Sequence, residues 1–334
     1  MFLKDVSLKQ FNTMDVDVSA DYFFALNDAS QLKNIPLKDF VGNTLVIGSG
    51  SNILFTTNYN GLVIKNEILG IEILSEDENI VKLKVGAGVN WNEFVMHAIE
   101  KNWSGIENLV LIPGTVGAAP VQNIGAYGQE VKDAIISLEA YDLHKNEFVT
   151  FSKSDCDFSY RNSVFKNKLK NTYIITSVTF QLKKHFIPNT SYPAISNVLS
   201  KQKNYSPSLN DIASIVISIR QSKLPDYNVL GNCGSFFTNP LLTPEEFEKF
   251  INEHSNAQYF KVDGVYKLSA GWLIENCGWK GKRIGDVGCY KLHALVIVNY
   301  GTATGNEIYD FSNQIINSVY KKFGVILKSE VNII

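Results

Sequence analysis

Apolar residues gather in short runs at Thr44 to Ile47, Ile53 to Phe55, Leu62 to Lys65 and Val81 to Val85, each closed by glycine or polar turn formers. Runs of this kind predict β-strands. The first two flank Gly48-Ser49-Gly50-Ser51-Asn52 and read as strand, loop, strand, and the next two as a further strand pair. A dinucleotide-binding GxGxxG opens a helix and a P-loop carries GK[ST]; the segment does neither. After Gly86-Ala87-Gly88, the spacing of Phe94, Val95 and Ala98 predicts an amphipathic helix over about Trp91 to Lys101. Strands resume at Ile135 to Tyr141 and Tyr173 to Leu182. Three later helices are marked by their starts. Asn210-Asp211 precedes the stripe Ile212, Ile215, Val216, Ile219, and Thr243-Pro244-Glu245-Glu246 is a capping box with proline in the first turn. Thr304 to Glu307 is a second box, opening the stripe Ile308, Phe311, Ile315, Val319, Phe323 that Gly324 closes. In the last strand Lys328, Glu330 and Asn332 alternate with Ser329, Val331 and Ile333, which puts Glu330 on a solvated face. The pattern is α+β.

With 334 residues the chain exceeds the length at which single cores stop growing, so two or three domains are expected, with a boundary at the turn Leu224-Pro225-Asp226-Tyr227. Lys plus Arg number 31 and Asp plus Glu 33, a balance without the basic excess of a nucleic-acid binder. No run approaches the ~20 apolar residues of a membrane span, and Lys4 and Asp5 stand where a signal peptide needs an apolar core. A cytoplasmic protein is expected, with no nucleic-acid, membrane or obligate protein partner. Cys156, Cys233, Cys277 and Cys289 form no CxxC pair and no zinc-spaced cluster, and read as reduced structural thiols without a metal. Only Arg161, Arg220 and Arg283 are arginine among the 31 basic residues, so an arginine is expected where a planar fork is required.

Glycines 105, 114, 117, 125 and 128 sit in an otherwise apolar stretch, which serves either tight packing or the approach of backbone N–H groups to a planar, phosphorylated cofactor. Tyr160-Arg161-Asn162-Ser163, Gly231-Asn232-Cys233-Gly234-Ser235-Phe236-Phe237 and Glu330 are the candidate chemical residues. None decides alone: Ser235 has no GxSxG elbow and no evident His partner.

Taken in order, however, Phe11-Asn12-Thr13, Gly48 to Asn52, Leu111-Ile112-Pro113-Gly114, Pro120 to Gly128, Tyr160 to Ser163, Lys223 to Asp226, Gly234 to Pro240, Ala270 to Glu275 and Glu330-Val331 closely resemble the UDP-N-acetylenolpyruvoylglucosamine reductases, over nearly the full length. These are FAD enzymes that complete UDP-N-acetylmuramate in peptidoglycan synthesis. The resemblance implies a two-subdomain FAD-binding module, residues 1–70 joined by 325–334 and residues 71–222, followed by an α+β substrate-binding domain, 223–324. It implies FAD on Gly48, Ser49, Gly50, Ser51 and Asn52, on Gln122, Asn123, Gly125, Ala126, Tyr127 and Gly128, and on Ile175 and Arg220. Noncovalent FAD is expected, since His97, His144, His185, His254 and His293 all lie outside those loops.

The resemblance further implies NADPH as electron source and UDP-N-acetylglucosamine-enolpyruvate as acceptor. Arg161 and Glu330 match the residues that stabilise the developing enolate, and Ser235 the proton donor. Tyr192 fits the family's tyrosine-loop subclass, Lys223 and Asn239 match uridine-diphosphate contacts, and His293 stands where a relative carries Gln. Two other readings use the same module: a flavin oxidase or dehydrogenase of another small molecule, and a noncatalytic UDP-sugar binder. Intact Arg161, Ser235 and Glu330 argue against the binder.

Overall fold

The computed structural model describes residues 2–40, 42–201, 206–262 and 264–334. It divides into two compact units: residues 1–6, 20–49 and 60–220 form the first, and 7–19, 50–59 and 221–334 the second.

The first unit is built on two sheets. One has the order Leu3–Ser7, Ser19–Leu26, Tyr59–Asn66, Thr44–Ile47, the last two running parallel with Thr44 opposite Leu62. The other is antiparallel in the order Glu147–Ser152, Ile135–Asp142, Tyr173–Lys183, Ile80–Gly86, Ile71–Glu76. Leu62 to Lys65 and Val81 to Val85 therefore belong to different sheets. The predicted helix is Trp91–Glu100, opened by Asn90, whose side chain accepts from Glu93 N at 3.1 Å. Its buried face, Trp91, Phe94, Val95, Ala98 and Ile99, packs on the second sheet, the Phe94 and Phe180 rings 4.9 Å apart. Trp91 can be wholly buried because its indole N–H donates to Leu109 O at 2.9 Å. Helix Leu209–Lys223 adds Ile212, Ala213 and Val216 to this core.

The second unit carries an antiparallel sheet in the order Gly231–Ser235, Val296–Asn299, Val287–Cys289, Arg283–Ile284, and a smaller one, Leu241–Leu242, Val265–Leu268, Tyr259–Val262. Ile53–Leu54 pairs in parallel with Asn332–Ile333, so the run after the Gly48 loop is not half of a hairpin. Both capping boxes form. Thr243 opens Pro244–Glu253 and Thr304 opens Gly305–Phe323, which Gly324 ends at φ 67° in the left-handed region. The alternation expected around Glu330 breaks. Val325, Leu327 and Val331 are buried, the strand proper is only Asn332–Ile333, and a bend leaves Glu330 half-buried, because its main chain is held from two sides.

Gly305 begins the last helix against the chain at Phe55: a Cβ there would overlap Phe55 O and lie 2.8 Å from Thr56 Cα. Alanine's helix preference over glycine, at most about 1 kcal/mol, is outweighed by the about 1–3 kcal/mol of overpacking against rigid backbone. Gly305→Ala is therefore expected to lower the thermal midpoint by several degrees in calorimetry. A raised midpoint would mean that helix preference wins.

Candidate functional site

In the first unit the glycine-rich stretch ends in a small hairpin, Gly125–Ala126 paired with Gln129–Glu130, turning through Tyr127 and Gly128 at φ 49° and 80°. Arg161 faces it from a two-residue reverse turn, in which Ser159 and Asn162 exchange N–H···O bonds of 3.1 Å. Arg161 itself is left-handed, φ 53°, a conformation costly for a residue with a Cβ and concentrated at functional sites. Its Nη2 donates to Gly125 O at 2.6 Å. A Cβ on Gly125 would lie 2.9 Å from Gln129 O and 3.1 Å from Arg161 Nη1, so glycine permits this approach. Asn123, fully buried, ties hairpin to turn: its Nδ2 donates to Glu130 Oε2 at 2.9 Å and Ser159 O at 3.0 Å, and its Oδ1 accepts from Lys132 N. The Asn123 amide is thus committed within the protein, while Gln122 beside it is half-buried.

Tyr127 packs edge-on against Tyr192, ring centroids 5.3 Å apart. Arg220 comes from the end of helix Leu209–Lys223 and donates from Nη2 to Leu111 O at 3.2 Å. Its Nε is cut off from solvent and has no hydrogen-bond partner among the described residues. Burial lowers the Arg220 pKa below the ordinary arginine value, and the neighbouring Tyr127 hydroxyl acts in the opposite sense. Burial likewise raises the Tyr127 pKa. The Ile175 carbonyl accepts from Asn66 Nδ2 at 2.8 Å, beside a bulge at Thr176 in strand Tyr173–Lys183.

The loop after Thr44–Ile47 is shaped by packing. A Cβ on Gly48 would overlap Thr115 Oγ1 in the first unit, and one on Gly50, φ 62°, would overlap Phe11 O in the second. Among the described residues, the backbone N–H groups of Ser49, Gly50 and Ser51 meet no protein acceptor.

In the second unit Ser235 follows a bulge: Asn232 pairs with Val298 and Ser235 with Val296, leaving one extra residue between. Gly234 takes φ 68° there and donates its N–H to Asn232 Oδ1 at 2.9 Å. Bulges of this kind re-aim the side chain that follows. The Ser235 hydroxyl is half-buried and hydrogen-bonded to nothing among the described residues. One residue on, Phe236 O accepts from Glu330 N at 2.8 Å, and Glu330 O accepts from Asn52 Nδ2 at 3.2 Å. The fold thus brings Asn52, Ser235 and Glu330 together. His293 lies on the turn leading to the strand beside Ser235, its Nδ1 accepting from Leu295 N at 3.3 Å. Asn239 Oδ1 accepts from Ala270 N at 3.0 Å at the start of helix Ala270–Asn276, and Lys223 is exposed at a helix end.

A family model described as an FAD binding domain matches residues 41–152, which sets the chain among FAD-dependent oxidoreductases. A second, described as the UDP-N-acetylenolpyruvoylglucosamine reductase C-terminal domain, matches residues 225–334. The chain is 44% identical over 330 residues to the UDP-N-acetylenolpyruvoylglucosamine reductase of Flavobacterium johnsoniae, covering 98% of each. It is 45% identical over 334 residues to that of Amoebophilus asiaticus, covering 99% of this chain and 98% of the relative. The crystal structure of the Thermus caldophilus enzyme shares the fold, with a TM-score of 0.67 at 22% identity over 100% of this chain and 98% of that one. The chain belongs to the UDP-N-acetylenolpyruvoylglucosamine reductase family.

The residues present fit FAD. A desolvated guanidinium with an unanswered Nε suits an anionic or acceptor-rich group, and unpaired backbone donors suit a diphosphate. Sequence reasoning missed Asn108 and Asn189, which bind the hairpin and the Tyr192 segment through main-chain carbonyls; nothing in Glu107-Asn108-Leu109 signals that role. Among the described residues there is no group of three or more potential metal ligands and no helix long and apolar enough to cross a membrane.

Cys233 and Cys289, although close in sequence to site residues, are buried and donate to Ile53 O at 3.2 Å and Ala294 O at 3.1 Å. Burial pushes both thiols, and that of Cys156, up to about 12. A raised pKa keeps a thiol protonated, with roughly one part in ten thousand ionised at pH 8. In native protein at pH 8 only half-buried Cys277 is expected to react with Ellman's reagent, against all four after denaturation. Fast reaction of a second thiol would contradict this burial.

Proposed function

We propose that the chain reduces UDP-N-acetylglucosamine-enolpyruvate to UDP-N-acetylmuramate with electrons from NADPH, as a cytoplasmic enzyme holding its FAD noncovalently. FAD, when bound, supplies the hydride relay between the two substrates. Gly48 to Asn52, Gln122 to Gly128, Ile175 and Arg220 are the residues assigned to hold it. Residues 223–324 are assigned to the sugar nucleotide, with Lys223, Asn239 and His293 on it and Tyr192 beside it.

Hydride addition at the enolpyruvyl methylene leaves an electron pair on the neighbouring carbon, conjugated with the carboxylate. Arg161 holds that carboxylate through its planar fork, the Gly125 carbonyl fixing the orientation of the guanidinium. Glu330, in its protonated form, donates to the developing enolate. Ser235 delivers the proton that completes the product. The observation that carries this reading is a serine hydroxyl with no partner of its own, set by a glycine bulge one residue before the main-chain contact of Glu330.

In stopped flow, NADPH should bleach the flavin of wild type and Ser235→Ala alike. Reoxidation by the enolpyruvyl substrate should slow in the variant by at least the ~10²–10⁴-fold typical of a lost general acid. Equal losses in both half-reactions would make Ser235 structural.

Arg161→Lys tests the fork. A surface cation would tolerate lysine, whereas a forked contact loses one charge-assisted hydrogen bond and the planar match. At ~1.5–3 kcal/mol for such a bond, the substrate half-reaction should slow roughly 10- to 150-fold, with FAD content unchanged. Near wild-type turnover would contradict the role.

A further inference from the structure

We infer that Asn108 is a positioning residue for substrate binding: it fastens the segment that carries Tyr192 to the Gly125–Glu130 hairpin. The Asn108 side chain, completely buried, gives both protons of its Nδ2 to main-chain carbonyls, Tyr127 O at 2.9 Å and Asn189 O at 3.1 Å. Its own N–H donates to Gln129 Oε1 at 2.9 Å, which holds it against the hairpin's other strand. Asn189 answers with its side chain, donating from Nδ2 to Gly128 O at 2.8 Å, while its Oδ1 accepts from Ser191 Oγ at 2.7 Å. The result is a reciprocal amide clasp across two segments.

Two features separate this clasp from ordinary stitching. Among the described residues, every hydrogen bond joining 185–191 to the rest of the fold passes through Asn189. That segment leads directly to Tyr192, the residue before helix Pro193–Leu199, whose ring meets Tyr127. The second feature is the Asn108 Oδ1, buried with no donor among the described residues. Turning the amide over would oppose its oxygen to two carbonyls, so the donor end is fixed and the acceptor end goes unanswered. A fold that leaves a buried acceptor unpaired to gain two donors at one place is defining a position there.

The inference rests on the assignment of Tyr192 to the sugar nucleotide, and the experiment separates the two. Asn108→Ala removes both donors from inside the fold. Asn189→Ala acts from the half-exposed side and removes only the return bond to Gly128 O, leaving the main-chain carbonyl that Asn108 reaches. In either holoenzyme, chymotryptic cleavage after Phe186 should quicken at least fivefold. KM for UDP-N-acetylglucosamine-enolpyruvate should rise about tenfold, the scale of two neutral hydrogen bonds shared with an ordering cost. Saturated turnover, FAD content and flavin reduction by NADPH should hold. The double variant should raise KM by less than the product of the two single effects, since the two bonds serve one clasp.

Unchanged cleavage after Phe186 overturns the clasp, and unchanged KM with faster cleavage overturns its role in binding. Tyr192→Ala is the control. If it too leaves KM unaltered, the assignment of Tyr192 has failed and the inference falls with it. If it raises KM while the two asparagine variants do not, only the inference fails.

Discussion

Hydrogen-bond donors that the protein does not itself satisfy govern how this molecule is built. A guanidinium removed from water is stable only when its protons are answered, and Arg220 has one nitrogen, Nε, with nothing among the described residues to answer it. Leaving such a group unmade costs about 1–3 kcal/mol or more. The backbone around Ser49, Gly50 and Ser51 carries the same kind of open donor, held in place because a side chain at Gly48 or Gly50 would collide with Thr115 or Phe11. A chain selected only for stability would close these groups with carboxylates or water-exposed turns. Their retention ties the architecture to an external acceptor.

How much of this was legible from the sequence depended on whether a residue's surroundings were local. Helix starts were readable because a cap answers a donor three residues away: Thr243 and Thr304 accept from Glu246 and Glu307, and Gly324 takes the left-handed conformation expected of it. Strand positions were readable from apolar runs, but partners were not. Nothing in Ile53-Leu54 says that it pairs with Asn332-Ile333 rather than with the strand just before it. Glu330 shows the same limit. Alternation places it on a solvated face, whereas distant groups, Phe236 O and Asn52 Nδ2, hold its backbone at a bend.

Lysine cannot imitate a fork, which is why the scarcity of arginine drew attention to three positions. Each of the three donates to a main-chain carbonyl. Arg161 reaches Gly125 O and Arg220 reaches Leu111 O. Arg283 donates to Gly285 O and Asp286 while lying 4.3 Å over the Tyr300 ring. The glycine-rich stretch, open to two readings, divides residue by residue. Gly117 is a packing glycine, since a Cβ there would stand 2.5 Å from that of Ala87, whereas Gly125 makes room for Arg161. The Asn123 side chain is the rivet between hairpin and turn.

The acceptors of the Asn108 clasp are both main-chain carbonyls. Every amino acid offers one, so the identities of residues 186–188 and 190 are free to drift over generations without touching that bond. What cannot drift is the count of residues that brings a carbonyl to that spot. An insertion or deletion there would shift the frame, and no substitution within the segment could restore it. Asn189 apart, whose own amide returns a bond to Gly128 O, the stretch is constrained in spelling length more than in spelling.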